Sequence, residues 1–235
     1  RAFDYTRPET LKAALDGVEV LALVSSNDFN DRVGQHRNVI EAAQAAGVKR
    51  VLYTSLLKAD RSPMLLADDH RATEEIIAAS GLRATILRNG WYTENWTATL
   101  GGALEAGALI GAAGTARFTP AVRADFAEAL AIAATDDSLA DKVLELGGDE
   151  RITLADLAAE VARQTGRAFP YNDLPPETYQ GILESFGLAA AFAHVLVDVD
   201  QKAQGGWLED TSGTLGKLLG RPTVRLADAV AAALD

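Results

Sequence analysis

The residues best suited to chemistry in this sequence sit where apolar runs end. Ser25-Ser26-Asn27 follows Val18–Val24, Tyr53-Thr54-Ser55 closes the run from Arg50, and Asn89-Gly90-Trp91-Tyr92 follows Ala84–Arg88. Small hydroxyl and amide side chains at such ends hydrogen-bond a ribose or a phosphate without blocking its approach. The same polar switch at three consecutive run ends points to one shared ligand. Trp91, Tyr92 and Trp96 suit either a flat ring or the packing of one lobe on another. His70 lies near Asp68 and Asp69, but acidic residues at a helix start are ordinary, and no metal site is expected. Arg117 and Arg123 are candidates to meet an anionic group, against the default of surface ion pairing. The sequence has no G-x-S-x-G elbow, no H-E-x-x-H and no complete G-x-G-x-x-G.

Elements must bring these tips to one edge, and the hydrophobic pattern supplies them. Thr6 and Glu9 stand at capping-box spacing with Pro8 in the first turn, predicting a helix to Leu15-Asp16. Val18–Val24 is almost continuously apolar, as a strand covered on both faces must be. A helix from Asp31 to Gly47, a strand at Arg50–Ser55, a helix from about Asp68 to Gly81 and a strand at Ala84–Arg88 follow. This alternation is that of an α/β protein with a parallel sheet. Further on, the pattern predicts helices over 95–105 and 122–134, a strand at 142–147, a helix from Thr153 to Gly166, a short strand at 168–172 and a helical tail.

Composition narrows the function. The chain has 235 residues and no Cys, which removes disulfides, thiol nucleophiles and zinc–thiolate sites. A net charge of −11 argues against nucleic acid as a partner, and no apolar run suits a membrane span. A cytoplasmic α/β domain with a nucleotide ligand is the expectation that residues and composition carry.

Longer stretches add a resemblance. His36–Ala43, Ala46–Ser55, His70 with Thr73-Glu74, and Thr85–Asn95 together resemble the NmrA-like atypical short-chain dehydrogenase/reductase family. Tyr53–Asp60, Ile110–Gly114, Arg123-Ala124-Asp125, Glu145–Gly148 and Lys217–Thr223 resemble its quinone-reducing members, so the likeness spans essentially the whole chain. The resemblance implies a Rossmann-like doubly wound parallel sheet with a small, mostly helical C-terminal lobe. Residues 1–135, with the strand near 142–147, would form the NAD(P)-binding domain, and 150–235 the substrate-side lobe. It also implies a glycine-rich βαβ unit before Arg1, which this sequence lacks and without which weak cofactor binding is expected.

The implied activity is hydride transfer from NADPH, or NADH, to a quinone without flavin. The alternative is an NADP(H)-binding redox sensor without turnover; a homodimer is compatible with both. By the same resemblance, Ser25, Ser26 and Asn27 would border ribose and phosphate, and Tyr53, Thr54 and Ser55 the nicotinamide half. Asn89, Gly90, Trp91, Tyr92, Thr93 and Glu94 would close over the ring, with Arg117 on the cofactor. Tyr53, Tyr92 and His70 are the catalytic candidates. One departure is notable: His70 stands where the Lys of a Tyr-x-x-x-Lys pair is expected, and Leu66 stands where its Tyr would be.

Overall fold

Arg50–Leu56 is buried at every residue, as a central strand with helices on both faces requires. The structure, a computed structural model, describes residues 1–235. Helix α1 (Pro8–Ala14) leads to β1 (Val20–Leu23), α2 (Arg32–Ala46), β2 (Arg50–Leu56), α3 (Leu65–Ser80) and β3 (Arg83–Asn89). Helices α4 (Glu94–Thr97) and α5 (Leu100–Ala106), strand β4 (Leu109–Gly111), α6 (Arg123–Thr135) and β5 (Val143–Leu146) follow. The remainder is α7 (Leu154–Thr165), β6 (Tyr171–Asp173), α8 (Pro176–Ser185), α9 (Ala190–Ala203), α10 (Thr214–Leu219) and α11 (Leu226–Leu234).

Four parallel strands in the order β1-β2-β3-β5 make the main sheet, with Ala22 beside Leu52 and Leu52 beside Thr85. Leu11, Leu23, Ile40, Tyr53 and Ile77 pack α1, α2 and α3 on one face. Leu52, Leu87, Phe126, Ala129 and Leu215 pack α6 and α10 on the other. The sheet is thus doubly wound, and the carboxyl ends of β1, β2 and β3 share one edge.

A third cluster ties this sheet to the lobe: Leu56 of β2, Met64 at the N-cap of α3 and Ala67 within α3 pack with Leu154, Leu157, Val161 and Val230. Strands β4 and β6 pair in parallel as a second, two-stranded sheet. The lobe expected from residue 150 therefore draws in an earlier strand. Lys58, in left-handed conformation at φ 55°, pins the junction by donating from Nζ to the carbonyls of Gly206 (2.8 Å) and Glu209 (2.6 Å).

Some local expectations are corrected. The capping box expected at Thr6 does not form, because Thr6 Oγ1 donates to Asp4 Oδ1 and Arg7 becomes the N-cap. A capping box does form at Thr153 and Asp156. The single helix expected over 95–105 is two, and the strand expected at 168–172 lies at Tyr171–Asp173. No helix is long and apolar enough to cross a membrane, and no cluster of three or more His, Asp or Glu is placed to hold a metal ion.

Candidate active site

The turn after β1 is built by the first turns of α2. Arg32, Gln35 and His36 lie at helical spacing on one face and all reach back to Ser26. Ser26 N–H donates to His36 Nε2 (2.8 Å), Ser26 Oγ to Gln35 Oε1 (2.6 Å), and Arg32 Nε to the Ser26 carbonyl (2.7 Å). Ser25 N–H donates to Thr54 Oγ1 at 2.8 Å, which joins the tips of β1 and β2. Two backbone donors are therefore spent inside the protein. What this turn offers a ligand is the Ser25 hydroxyl, Asn27 and the wall of an open cleft of about 730 Å³ shared with Asp4, Tyr5 and Thr6.

The imidazoles beneath are neutral. Because His36 Nε2 accepts from Ser26, its proton is on Nδ1 and goes to Thr73 Oγ1 (2.9 Å), which donates in turn to the Asp69 carbonyl (2.8 Å). Burial first, and Arg32 second, pull His36 down to about 4. His70 is pulled to about 3, by burial first and then by Arg32 and His36. Tyr53 is fully buried; burial pushes its hydroxyl far up, so it stays protonated, and its Oη pairs with His70 Nδ1 at 2.8 Å. The expectation that Tyr53 touches a ligand is corrected: it has no accessible surface, and its hydroxyl is paired with His70. His70, neutral at neutral pH, has no imidazolium proton to deliver as a general acid.

The remaining sequence candidates divide between the tip and the interior. Ser55 Oγ donates to Glu74 Oε1 (2.5 Å), and Glu74 pairs with Arg88 (2.7 Å), which also meets Asp60 and Glu145 (both 2.9 Å). Ser55 thus belongs to an ion network centred on the largely buried Arg88 and Glu74. Gly90 lies so close to neighbouring backbone that a Cβ there would sit 3.1 Å from the Leu146 carbonyl. Trp91 and Trp96 pack against the cluster that joins the lobe, Trp96 edge-on to Phe118 at 5.1 Å. Glu94 accepts Arg123 N–H (2.9 and 3.0 Å) at the start of α6, and Thr93 is buried. Tyr92 remains half exposed between Phe126 (5.1 Å) and the Arg123 guanidinium (5.9 Å). Arg117 is exposed.

Asn89 is the residue that asks for a partner. It is 3% exposed, its Nδ2 donates to Tyr92 Oη (3.2 Å), and its Oδ1 has no partner at all. A buried orphan acceptor at the carboxyl end of β3 fits the carboxamide donor of a nicotinamide ring. The Gly111–Gly114 loop is not a phosphate cradle. Its Ala112, Ala113 and Gly114 N–H groups already go to Asp200 Oδ2 (2.8 Å), Tyr171 Oη (3.1 Å) and Asp173 Oδ1 (2.8 Å). Among the residues that build the site, Arg32 and Asp200 carried no sequence expectation. A polar triplet at helical spacing directly after a strand tip is the signal that could have found Arg32.

A doubly wound sheet with polar tips and an open cleft at its carboxyl edge defines a dinucleotide-binding α/β protein. Residues 2–137 match the family described as NAD(P)H-binding, and the chain belongs to that family. Within it, the chain is 48% identical over 230 residues to quinone oxidoreductase 2 of Escherichia coli, covering 98% of this chain and 80% of that protein. It is 32% identical over 242 residues to an NmrA-like family domain-containing oxidoreductase of Aspergillus flavus, covering 98% and 78%. Among solved structures, it superposes with a TM-score of 0.96 and 47% identity on an NADPH-dependent quinone oxidoreductase from Escherichia coli complexed with NADPH. That match covers 100% of this chain and 83% of the other. A triphenylmethane reductase of Citrobacter sp. follows at TM-score 0.91 and 29% identity, covering 100% and 82%.

Proposed function

We propose that this protein is an NADPH-dependent quinone reductase that carries out two-electron reduction without flavin. The observation that carries this is the match along the whole chain to a quinone oxidoreductase solved with NADPH. Bound at the carboxyl edge, NADPH supplies a hydride from its nicotinamide ring.

The chain's own residues supply position. We assign Ser25 and Asn27 to the ribose side of the cleft and the Asn89 amide oxygen to the carboxamide. Tyr92 is assigned to the ring face, where Phe126 and Arg123 keep its own ring in place. His70 and Tyr53 are positioning residues that hold α3 against β2. His70, held neutral, offers no imidazolium proton to a carbonyl oxygen. That suits a quinone, whose reduced aromatic oxyanion solvent can protonate, better than a ketone. Cytoplasmic residence belongs to the same proposal, since NADPH is regenerated there.

The test is NADPH oxidation with menadione on protein shown spectroscopically to be free of flavin. Catalytic turnover with one NADPH consumed per quinone is the expected result. NADPH binding without turnover would overturn the proposal and favour a redox sensor.

A further inference from the structure

The hydroxyls at the end of β2 are all committed. Tyr53 pairs with His70, Thr54 Oγ1 donates to Ser25 Oγ, and Ser55 Oγ donates to Glu74. Tyr92, just past β3, is not. Its Oη accepts Asn89 Nδ2 at 3.2 Å, and no acceptor in the chain takes its own O–H. The side chain is mounted firmly for a half-exposed one, with the Phe126 ring at 5.1 Å and the Arg123 guanidinium at 5.9 Å. Its backbone is pinned on both sides: Ala121 N–H donates to the Trp91 carbonyl (3.2 Å) and Thr93 N–H to the Ala121 carbonyl (3.0 Å). Glu94 holds the Arg123 N–H at the start of α6 and so fixes the guanidinium's own base. A donor without an acceptor therefore has a set place, anchored on Asn89. The orphan Oδ1 of that same amide is assigned above to the nicotinamide carboxamide. The carboxamide is bonded to the ring carbon next to the one that gives up hydride. With the carboxamide on one end of a single small amide and the phenol on the other, the phenol borders the acceptor's place over the ring.

We propose that the Tyr92 hydroxyl is a catalytic hydrogen-bond donor that stabilises the oxyanion formed as the quinone accepts hydride, with Asn89 holding it in place. This rests on the quinone reductase function proposed above. On reduction the quinone gains a hydride, its negative charge comes to rest on an oxygen, and NADPH leaves as NADP+. Tyr92 donates a hydrogen bond to that oxyanion and keeps its proton; solvent then protonates the product. A fixed donor aimed at charge that develops during the reaction lowers the barrier without having to reorganise.

The test uses Tyr92→Phe in the full chain, which keeps the ring against Phe126 and Arg123 and removes the hydroxyl. Measured are kcat and KM with menadione, the NADPH Kd by fluorescence titration and the melting temperature. The kcat should fall roughly ten- to a hundredfold. The NADPH Kd should stay within about twofold, since the Asn89 amide oxygen is untouched. Binding is read separately with lawsone, a hydroxynaphthoquinone that is an anion at neutral pH and carries an oxyanion like that of the product. Titrated calorimetrically with NADP+ present, it should bind the variant roughly fivefold more weakly or worse. An unchanged kcat overturns the proposal. So does a loss matched by an equal rise in NADPH Kd, which would make Tyr92 a support for Asn89 alone. If the unmodified protein reduces no quinone, the reductase function fails instead, and the lawsone titration decides: weaker binding by the variant supports the donor, and equal binding overturns it. Should Tyr92→Phe not fold, 3-fluorotyrosine is incorporated in place of Tyr92. Its phenol is the stronger donor and should tighten lawsone binding; no change overturns the proposal.

Discussion

His36 and His70 are the side chains whose protonation the fold most constrains. Both are held neutral, at about 4 and about 3, against about 6.5 for a free imidazole. On unfolding they take up protons once the pH is below about 6.5, so their contribution is full above that value and is lost as the pH falls towards about 4 and about 3. Asp200 acts oppositely: burial lifts its carboxyl to about 6 from 3.8, so it favours the folded state as the pH falls through that window. With both imidazoles set against one carboxyl, the unfolding free energy should fall by about 1 kcal/mol or more between pH 7 and pH 5. Urea titrations at the two pH values measure it. His70→Gln, whose amide oxygen can still accept from Tyr53, should flatten the slope; a slope as steep as before would refute the assignment to His70. The imidazoles were visible in the sequence, but their roles were not. Whether a histidine is charged depends on what covers it, and Arg32, His36, Thr73 and Tyr53 come from three different elements.

At the scale of elements, the Gly111–Gly114 turn shows a loop that carries its own ligands. Asp200 accepts Ala112 N–H, and a Cβ on Gly111 would stand 3.0 Å from both Asp200 Oδ2 and Leu154 Cδ1 and 3.2 Å from the Tyr171 ring, so any side chain there crowds the turn. Asp200→Ala leaves a buried N–H without a partner and should cost about 1–3 kcal/mol. Asp200→Asn keeps the acceptor, removes the buried charge and should be neutral or stabilising at pH 7.5. Chemical denaturation of both variants checks the pair, and a large loss in Asp200→Asn would show that the charge itself is needed. Strands β1, β2 and β3 were legible because strands covered on both faces are written as continuous apolar runs. Strands β4 and β6 are three residues each, too short to show a period, and their pairing depends on chain segments some sixty residues apart. The expected cap at Thr6 failed for a local reason: Asp4, two residues earlier, takes its hydroxyl. Trp91 and Trp96 show the limit most clearly. Their spacing served ring binding and lobe packing equally well, and only the contacts with the joining cluster separate the two.

The whole molecule is organised by that joining cluster, in which β2 and α3 contribute apolar side chains to the same interior as α7, α9 and α11. Sheet and lobe should therefore unfold together. Leu157, fully buried there, should cost about 2–5 kcal/mol when replaced by Ala and shift one cooperative transition for the entire chain. Calorimetry checks this, and two separated transitions would contradict it. Residues 150–235 expressed alone should remain unfolded by circular dichroism, since Leu154, Leu157 and Val161 would face water. Lys58 adds a polar rivet to the apolar seam by holding two lobe carbonyls. A shared interior of this kind has a consequence for descent and for engineering. The lobe is not a cassette that can be exchanged between relatives to graft one acceptor preference onto another. Divergence has to proceed by single replacements along the seam, each screened at once for fit to both sides.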